Sequence, residues 1–342
     1  MKKQIKTLSI IALSIITFNS CSDDDDNNNV NPPTNTESTR LYTSNNADGN
    51  ITYYDVTDLS NVSATTLVTA SVAADGIYFD ASTDAAIQAS RSGLALEGFT
   101  DISAIASGTT ITSDIVGTAD MTSPREVAVN GNFYVVADNA DVDADDTTAD
   151  GRLFIYERSN GTFTLRNTIT TDIKLWGITF NGNDLYAVVD TTNQLAVYTD
   201  FLSNTTDATV SATKTIAVEG IVRTHGLTFD AASNTMVLTD IGSAGDATDG
   251  GFHVISDFLT KFNNTADGGT LALSSQIRVA GSNTVLGNPV DVAYDADTET
   301  VFIAEAANGS ILAFNNIGTG GNITPFINNT LASASAVYLS KD

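Results

Sequence analysis

The chain has 342 residues, 41 acidic against 15 basic side chains and a net charge of −26, with a single cysteine and two histidines. Such a charge excludes nucleic acid, whose phosphates need a basic face, and leaves cations or neutral surfaces as the electrostatically permitted partners. One cysteine rules out an internal disulfide framework, and two histidines rule out a zinc centre built on imidazoles.

The chain opens on Lys2, Lys3 and Lys6, followed by the apolar run Leu8 to Phe18, then Asn19, Ser20 and Cys21. A basic start, a short apolar centre and small residues before a cut make residues 1–20 a secretory signal peptide. The run is too short to span a bilayer, which takes about 20 residues. The stretch resembles a bacterial lipoprotein signal, with Phe18 where leucine is usual. That resemblance implies that Cys21 becomes the first mature residue and carries lipid. Asp23 to Asp26, after Ser22, resemble the surface-export signal of Bacteroidetes lipoproteins, which implies an outer-membrane, surface-exposed location. Residues 21–39, rich in Asn, Pro and Thr, have almost no apolar content and read as a disordered tether.

Residues 40–342 are all-β in pattern: short Val, Ile, Thr, Tyr and Phe runs alternate with Gly, Asn, Asp and Ser clusters. They also repeat. "PVDVAYDADTETVFIAEAANGSILAFNN", from Pro289, reads as strand, acidic turn, strand ending in an acid, Gly turn, strand. The same order starts near Ala74, Pro124, Leu175 and Thr224. The equivalent core positions Gly76, Glu126, Gly177, Gly226 and Asp291 lie 50, 51, 49 and 65 residues apart. A further β-rich stretch closes each unit, so four strands are expected per unit. The C-terminal "SASAVYLSKD" matches only a first strand, and "RLYTSNNADGNITYYDV", from Arg40, only the second and third. Together they make a sixth unit shared between both ends, as a closed ring requires. The expectation is a six-bladed β-propeller of four-stranded blades, closed by pairing of the C-terminal strand with the N-terminal blade. A pair of β-sandwiches is the structural alternative. "NPVDVAYD" with "VFIAEA", and "LWGITFNGNDLYAVVD", resemble the repeats of NHL and YVTN propellers, a likeness that implies architecture and not function.

In such a blade the first strand lines the channel. Asp75, Arg125, Trp176, His225, Val290 and Ser335 stand just before the core positions and are expected to share one mouth. Trp and Arg are the residue types most enriched at binding hot spots, so Asp75, Arg125, Trp176, His225 and Ser335 are the expected binding mouth, for a protein or a glycan. A Trp176 that merely plugs the channel is the structural reading. The second strands end in Asn45, Ser90, Asp138, Asp190, Asp240 and Glu305, where an acid can accept hydrogen bonds from the turn it begins. The long turn after Asp138 carries Asp141, Asp143, Asp145, Asp146 and Asp150, hard oxygen ligands that suit Ca²⁺, though the loop is not an EF-hand.

No G-x-S-x-G elbow is present. The competing function is a Ca²⁺-dependent lactonase or esterase with a metal in the channel, held at Glu126 and Asp291 with His225 as base. A structural surface scaffold is the third. His253 falls between apolar residues of a third strand and is expected to be structural. "TDLSN", "TDIS", "TDFLSN" and "SDFLTKF" read as short capped turns that bury Leu59, Ile102, Phe201 and Phe258. A monomer, with membrane contact through the lipid alone, is expected.

Overall fold

The structure is a computed structural model, described for residues 38–341 other than Asp146, Asn160 and Ala244. The signal peptide, Cys21 and the tether therefore lie outside the described residues. Short strands pair antiparallel with their chain neighbours and group into four-stranded sheets. One sheet runs Pro289–Asp295, Thr300–Glu305, Ser310–Phe314 and Ile327–Thr330. The plan begins again at Ala74–Asp80, Pro124–Asn130, Leu175–Asn181 and Leu227–Asp230. The last strand, Ala334–Lys341, pairs with Thr39–Asn45 from Thr39↔Lys341 to Asn45↔Ala334. Ile51–Asp55 and Ser63–Leu67 complete that sheet, so the two ends of the domain are locked into one hydrogen-bonded unit. Each first strand adjoins the first strand of the next sheet, and Ala334–Lys341 adjoins both Pro289–Asp295 and Ala74–Asp80.

The burial pattern follows from this stacking. A sheet covered on both faces needs apolar residues on both, and every residue of Ala85–Ser90, Thr235–Asp240 and Thr300–Glu305 is buried. The outer strand Ile327–Thr330 instead alternates half-buried with exposed. The core lies between sheets: Val188 and Leu195 of one pack with Leu238 and Ile255 of the next.

The outer edges are covered in a way the repeat did not reveal. Single parallel bridges join Val68 to Thr110, Val116 to Thr162 and Val279 to Gly321, and two-residue parallel ladders start at Ile169↔Ala208 and Ala217↔Thr270. An open edge is a template for pairing with another chain, and these crossings occupy it. The segments between third and fourth strands supply all of them but the bridge from Val116 to Thr162, which joins two fourth strands. In the first of the turns within those segments Asp58 Oδ1 accepts from the Ser60 amide and hydroxyl, as expected of a capped turn, while the other three differ. Asp101, Asp200 and Asp257 take positive φ, and none makes a side-chain cap bond. The reversal comes from the left-handed backbone, which Asp tolerates better than most residues, and a short helical turn follows it. Ile102, Phe201 and Phe258 are buried there as expected, while Leu59 is half-buried.

Candidate functional site

The inner strands enter the ring through β-bulges. Gly76 is extra between the pairs Asp75↔Ala89 and Ile77↔Gln88, and Val290 between Pro289↔Glu305 and Asp291↔Ala304. Arg125 with Glu126, and Trp176 with Gly177, sit in equivalent register breaks, as does Ser335 in the closing strand. A bulge re-aims the side chains at its site, and here it turns the residue before each core position towards one end of the ring. Gly76, Gly177 and Gly226 allow neighbouring inner strands to approach closely. A Cβ on Gly177 would stand 2.3 Å from the His225 carbonyl oxygen, and one on Gly76 2.6 Å from that of Arg125.

The five predicted mouth residues line one cavity of about 230 Å³. Three of them form a stack. The Arg125 guanidinium lies 4.0 Å from the centroid of the Trp176 ring, and the His225 ring lies 3.7 Å from it at an interplanar angle of 5°. Two groups so close to one ring centre cannot share a face, so Trp176 is sandwiched. Each end of the stack is held by a buried carboxylate. Arg125 Nη1 donates to Asp75 Oδ2 at 2.9 Å, and Asn46 Nδ2 donates to Asp75 Oδ1 at 2.7 Å. At the other end His225 Nε2 lies 3.0 Å from Asp190 Oδ1, which also accepts from Arg223 Nη2 at 3.0 Å. Burial holds the His225 pKa below the ordinary histidine range, against the pull of Asp190. Asp190 itself is held below the ordinary carboxylate range by His225 and Arg223, against its burial.

Ser335 is at the mouth, but its hydroxyl is already used. It donates to the Ala74 carbonyl at 2.5 Å and lies 3.0 Å from Ser44 Oγ, tying the closing sheet to its neighbour. Asn46, Arg91, Asn288 and Ala306 also line the cavity. Sequence reasoning missed them, although Asn46, Arg91 and Ala306 directly follow the marked second-strand ends. Arg125 Nε, His225 Nδ1 and Asn288 Oδ1 are buried without a hydrogen-bond partner among the described residues. Such atoms are rare in native proteins and mark places completed by water or a ligand.

The acids at the second-strand ends divide by role. Asp138 Oδ2 accepts from the Thr122 and Ser123 amides at 2.6 and 2.9 Å. Asp240 Oδ1 accepts from the Val222 and Arg223 amides, and Glu305 Oε1 from those of Gly287 and Asn288. These three fasten the loop before the first strand of their own sheet. Asp190 alone of the four turns to the side chains of the next sheet.

Glu126 and Asp291 do meet, on the far side of the stack. Both line the central channel, a cavity of about 380 Å³ that shares no residue with the mouth. Burial and their mutual repulsion push the Glu126 pKa well up, and burial lifts Asp291 to about 7. His225 is engaged with Asp190 on the other side, so the three do not form the acid–base set that a channel hydrolase needs.

In the acidic turn, Asp141, Asp143 and Asp150 each bring a carboxylate oxygen within 4.8 Å of the others. Asp145 is not among them; its Oδ1 accepts from Thr147 Oγ1 at 2.6 Å. Asp146 lies outside the described residues. His253 is fully buried, with Nδ1 2.7 Å from Gln276 Oε1, and burial lowers its pKa to about 4.

Sheets in this order, joined by their ends around a channel, define a β-propeller. Similar solved structures bear this out. A chain of a nidogen–laminin complex matches at 12% identity with a TM-score of 0.59, covering 88% of this chain and 98% of its own. A protein of Bacteroides uniformis provisionally assigned as a 6-phosphogluconolactonase matches at 10% identity and TM-score 0.51, covering 90% and 86%. Its counterpart in Bacteroides fragilis gives 10% and 0.51, covering 91% and 99%. At these identities the likeness is one of fold. No protein-family model and no curated relative matches the sequence.

Proposed function

We propose that the protein is a surface-anchored binding module: a six-bladed propeller of the NHL/YVTN kind, tethered through lipid on Cys21, that captures a protein partner at the mouth around Trp176. The observation that carries this reading is the cluster of orphan polar atoms on Arg125, His225 and Asn288 around a rigid, half-buried Trp176. A buried polar group left unpaired costs about 1–3 kcal/mol, which a ligand atom would recover. Arg and Trp anchors held by buried carboxylates need little ordering on binding. Of the two partner classes, protein is favoured over glycan. A sugar binds tryptophan by its face, and both faces of Trp176 are covered; its edge and the small cavity suit one inserted side chain.

The test is a displayed peptide library panned on the folded protein, beside a glycan array. Binders should form a consensus, and Trp176→Ala should weaken them at least tenfold while the circular dichroism spectrum is unchanged. Unaltered capture by that variant removes the mouth from consideration, and hits on the glycan array alone reverse the partner class. Asp141, Asp143 and Asp150 would hold a Ca²⁺ beside the mouth, with water completing its six to eight oxygen ligands. The hydrolase reading draws on the fold likeness to the Bacteroides proteins but has two converging carboxylates and no base beside them.

A further inference from the structure

The channel opens away from the mouth and has its own chemistry. Residues two apart on a strand face the same side, and Glu126 with Ala128, and Asp291 with Ala293, line the channel. A Cβ on Gly226 would touch Asp291 Cα at 2.5 Å, which sets Gly226 at the level of the acids. Its own series continues through Thr228 to Asp230. At about 3.3 Å per residue, Asp230 stands about 13 Å along the channel from the carboxyl pair. Between them Tyr78 and Tyr338, from adjoining strands, bring their rings together with centroids 4.8 Å apart and line the wall.

The charges are unbalanced. Asp80 is paired with Arg158 at 2.7 Å, and Asp295 with Lys341. Among the described residues no basic side chain forms a salt bridge with Glu126, Asp291 or Asp230. The floor acids are capped only by backbone: Asp291 Oδ2 accepts from the Val337 amide at 2.8 Å, and Glu126 Oε1 from that of Val127 at 2.9 Å. Asp291 is buried and Glu126 half-buried, and carboxyls withdrawn from water with no counter-charge must stay protonated or meet a cation.

We propose that this channel is a binding site for a linear polyamine. One ammonium group lies between Glu126 and Asp291 at the floor, the alkyl chain runs along the Tyr78–Tyr338 wall, and a second ammonium group reaches Asp230 at the open end. Two carboxyls, each with one oxygen taken by a backbone amide, are a poor set for Ca²⁺, which wants six to eight oxygens. A cavity of about 380 Å³ is also far larger than one ion needs. A long, flexible dication matches acids at both ends of a narrow channel, and its methylenes and charge both gain from aromatic rings. Insertion of the ammonium group favours the ionised carboxylate, so binding releases a proton from the floor pair to solvent.

Spermidine titrated into the folded domain by calorimetry tests this. One molecule should bind per chain, and the heat should change with the ionisation enthalpy of the buffer. Glu126→Gln and Asp291→Asn should each weaken binding at least tenfold and reduce the buffer dependence. Asp172→Asn, an exposed charge-matched change, should leave both as they were. Asp230→Asn, on a half-exposed rim residue, should weaken spermidine but not propylamine, which cannot span the channel. Equal weakening by Asp172→Asn, binding of several spermidine molecules, propylamine as tight as spermidine, or Ca²⁺ displacing spermidine through the same floor residues would each overturn the assignment.

Discussion

The closeness of the inner strands can be tested at a single atom. At Gly226 an added Cβ would lie 2.5 Å from Asp291 Cα, 2.8 Å from the Val290 carbonyl oxygen and 3.0 Å from Asp291 Oδ1. Non-bonded carbon atoms prefer about 3.5–4.0 Å, so Gly226→Ala must push two inner strands apart by about 1 Å. The obstacle is mostly backbone, which cannot swing aside. Overpacking of this kind costs typically about 1–3 kcal/mol. In a domain of this size each kcal/mol lowers the melting temperature by about 2–4 °C, so a fall of roughly 2–12 °C is expected. Gly245→Ala is the control, since no atom lies within 4 Å of its added methyl, and it should stay within about 1 kcal/mol of wild type. The assay is thermal unfolding followed by circular dichroism at a fixed heating rate. If Gly226→Ala melts with Gly245→Ala, the inner strands are not in contact at this level, and the placing of Asp291 beside Gly226 fails with it.

Two further outcomes are expected from the structure and one from the sequence. Because the folded protein raises the pKa of Glu126 and of Asp291, to about 7 for the latter, it binds more protons than the unfolded chain. The contribution of this pair to stability should therefore be fullest below the ordinary carboxyl range and be lost as pH rises through about 7. Glu126→Gln should flatten that decline, measured by denaturant midpoints from pH 5 to pH 8.5; an unchanged slope would refute the buried pair. Chelation of a calcium-loaded sample should lower the melting temperature by a few degrees, and Asp143→Asn should abolish the difference; no response to chelator leaves the turn as solvated surface. Cys21→Ala should prevent incorporation of labelled fatty acid in a bacterial host, and labelling that persists in the variant would place the anchor elsewhere.

Much of the fold was legible because a ring of repeats converts sequence position into spatial position. Five units in the same strand order, with a first strand stranded at one end and its partners at the other, lead directly to the pairing of Ala334–Lys341 with Thr39–Asn45. The same register brought Asp75, Arg125, Trp176 and His225 to one mouth, since equivalent positions of equivalent strands end at equal heights. The parallel crossings at the outer edges were not legible. They involve one or two residues from segments that carry no periodic signal.

What periodicity determined by itself was place: which strands are inner, which residues reach the mouth, which acids begin the turns. Only the tertiary structure decided what each residue does there. Asp138, Asp190, Asp240 and Glu305 occupy the same repeat position, yet three fasten the loop before their own first strand, while Asp190, besides the Thr191 amide, takes His225 and Arg223. Ser335 reaches the mouth but spends its hydroxyl on Ala74. The reason is that a hydrogen bond depends on which donor comes within about 3 Å, and that distance is set by loops of unequal length on neighbouring sheets. A repeat determines where a side chain stands, while its partners come from non-repeating parts of the chain.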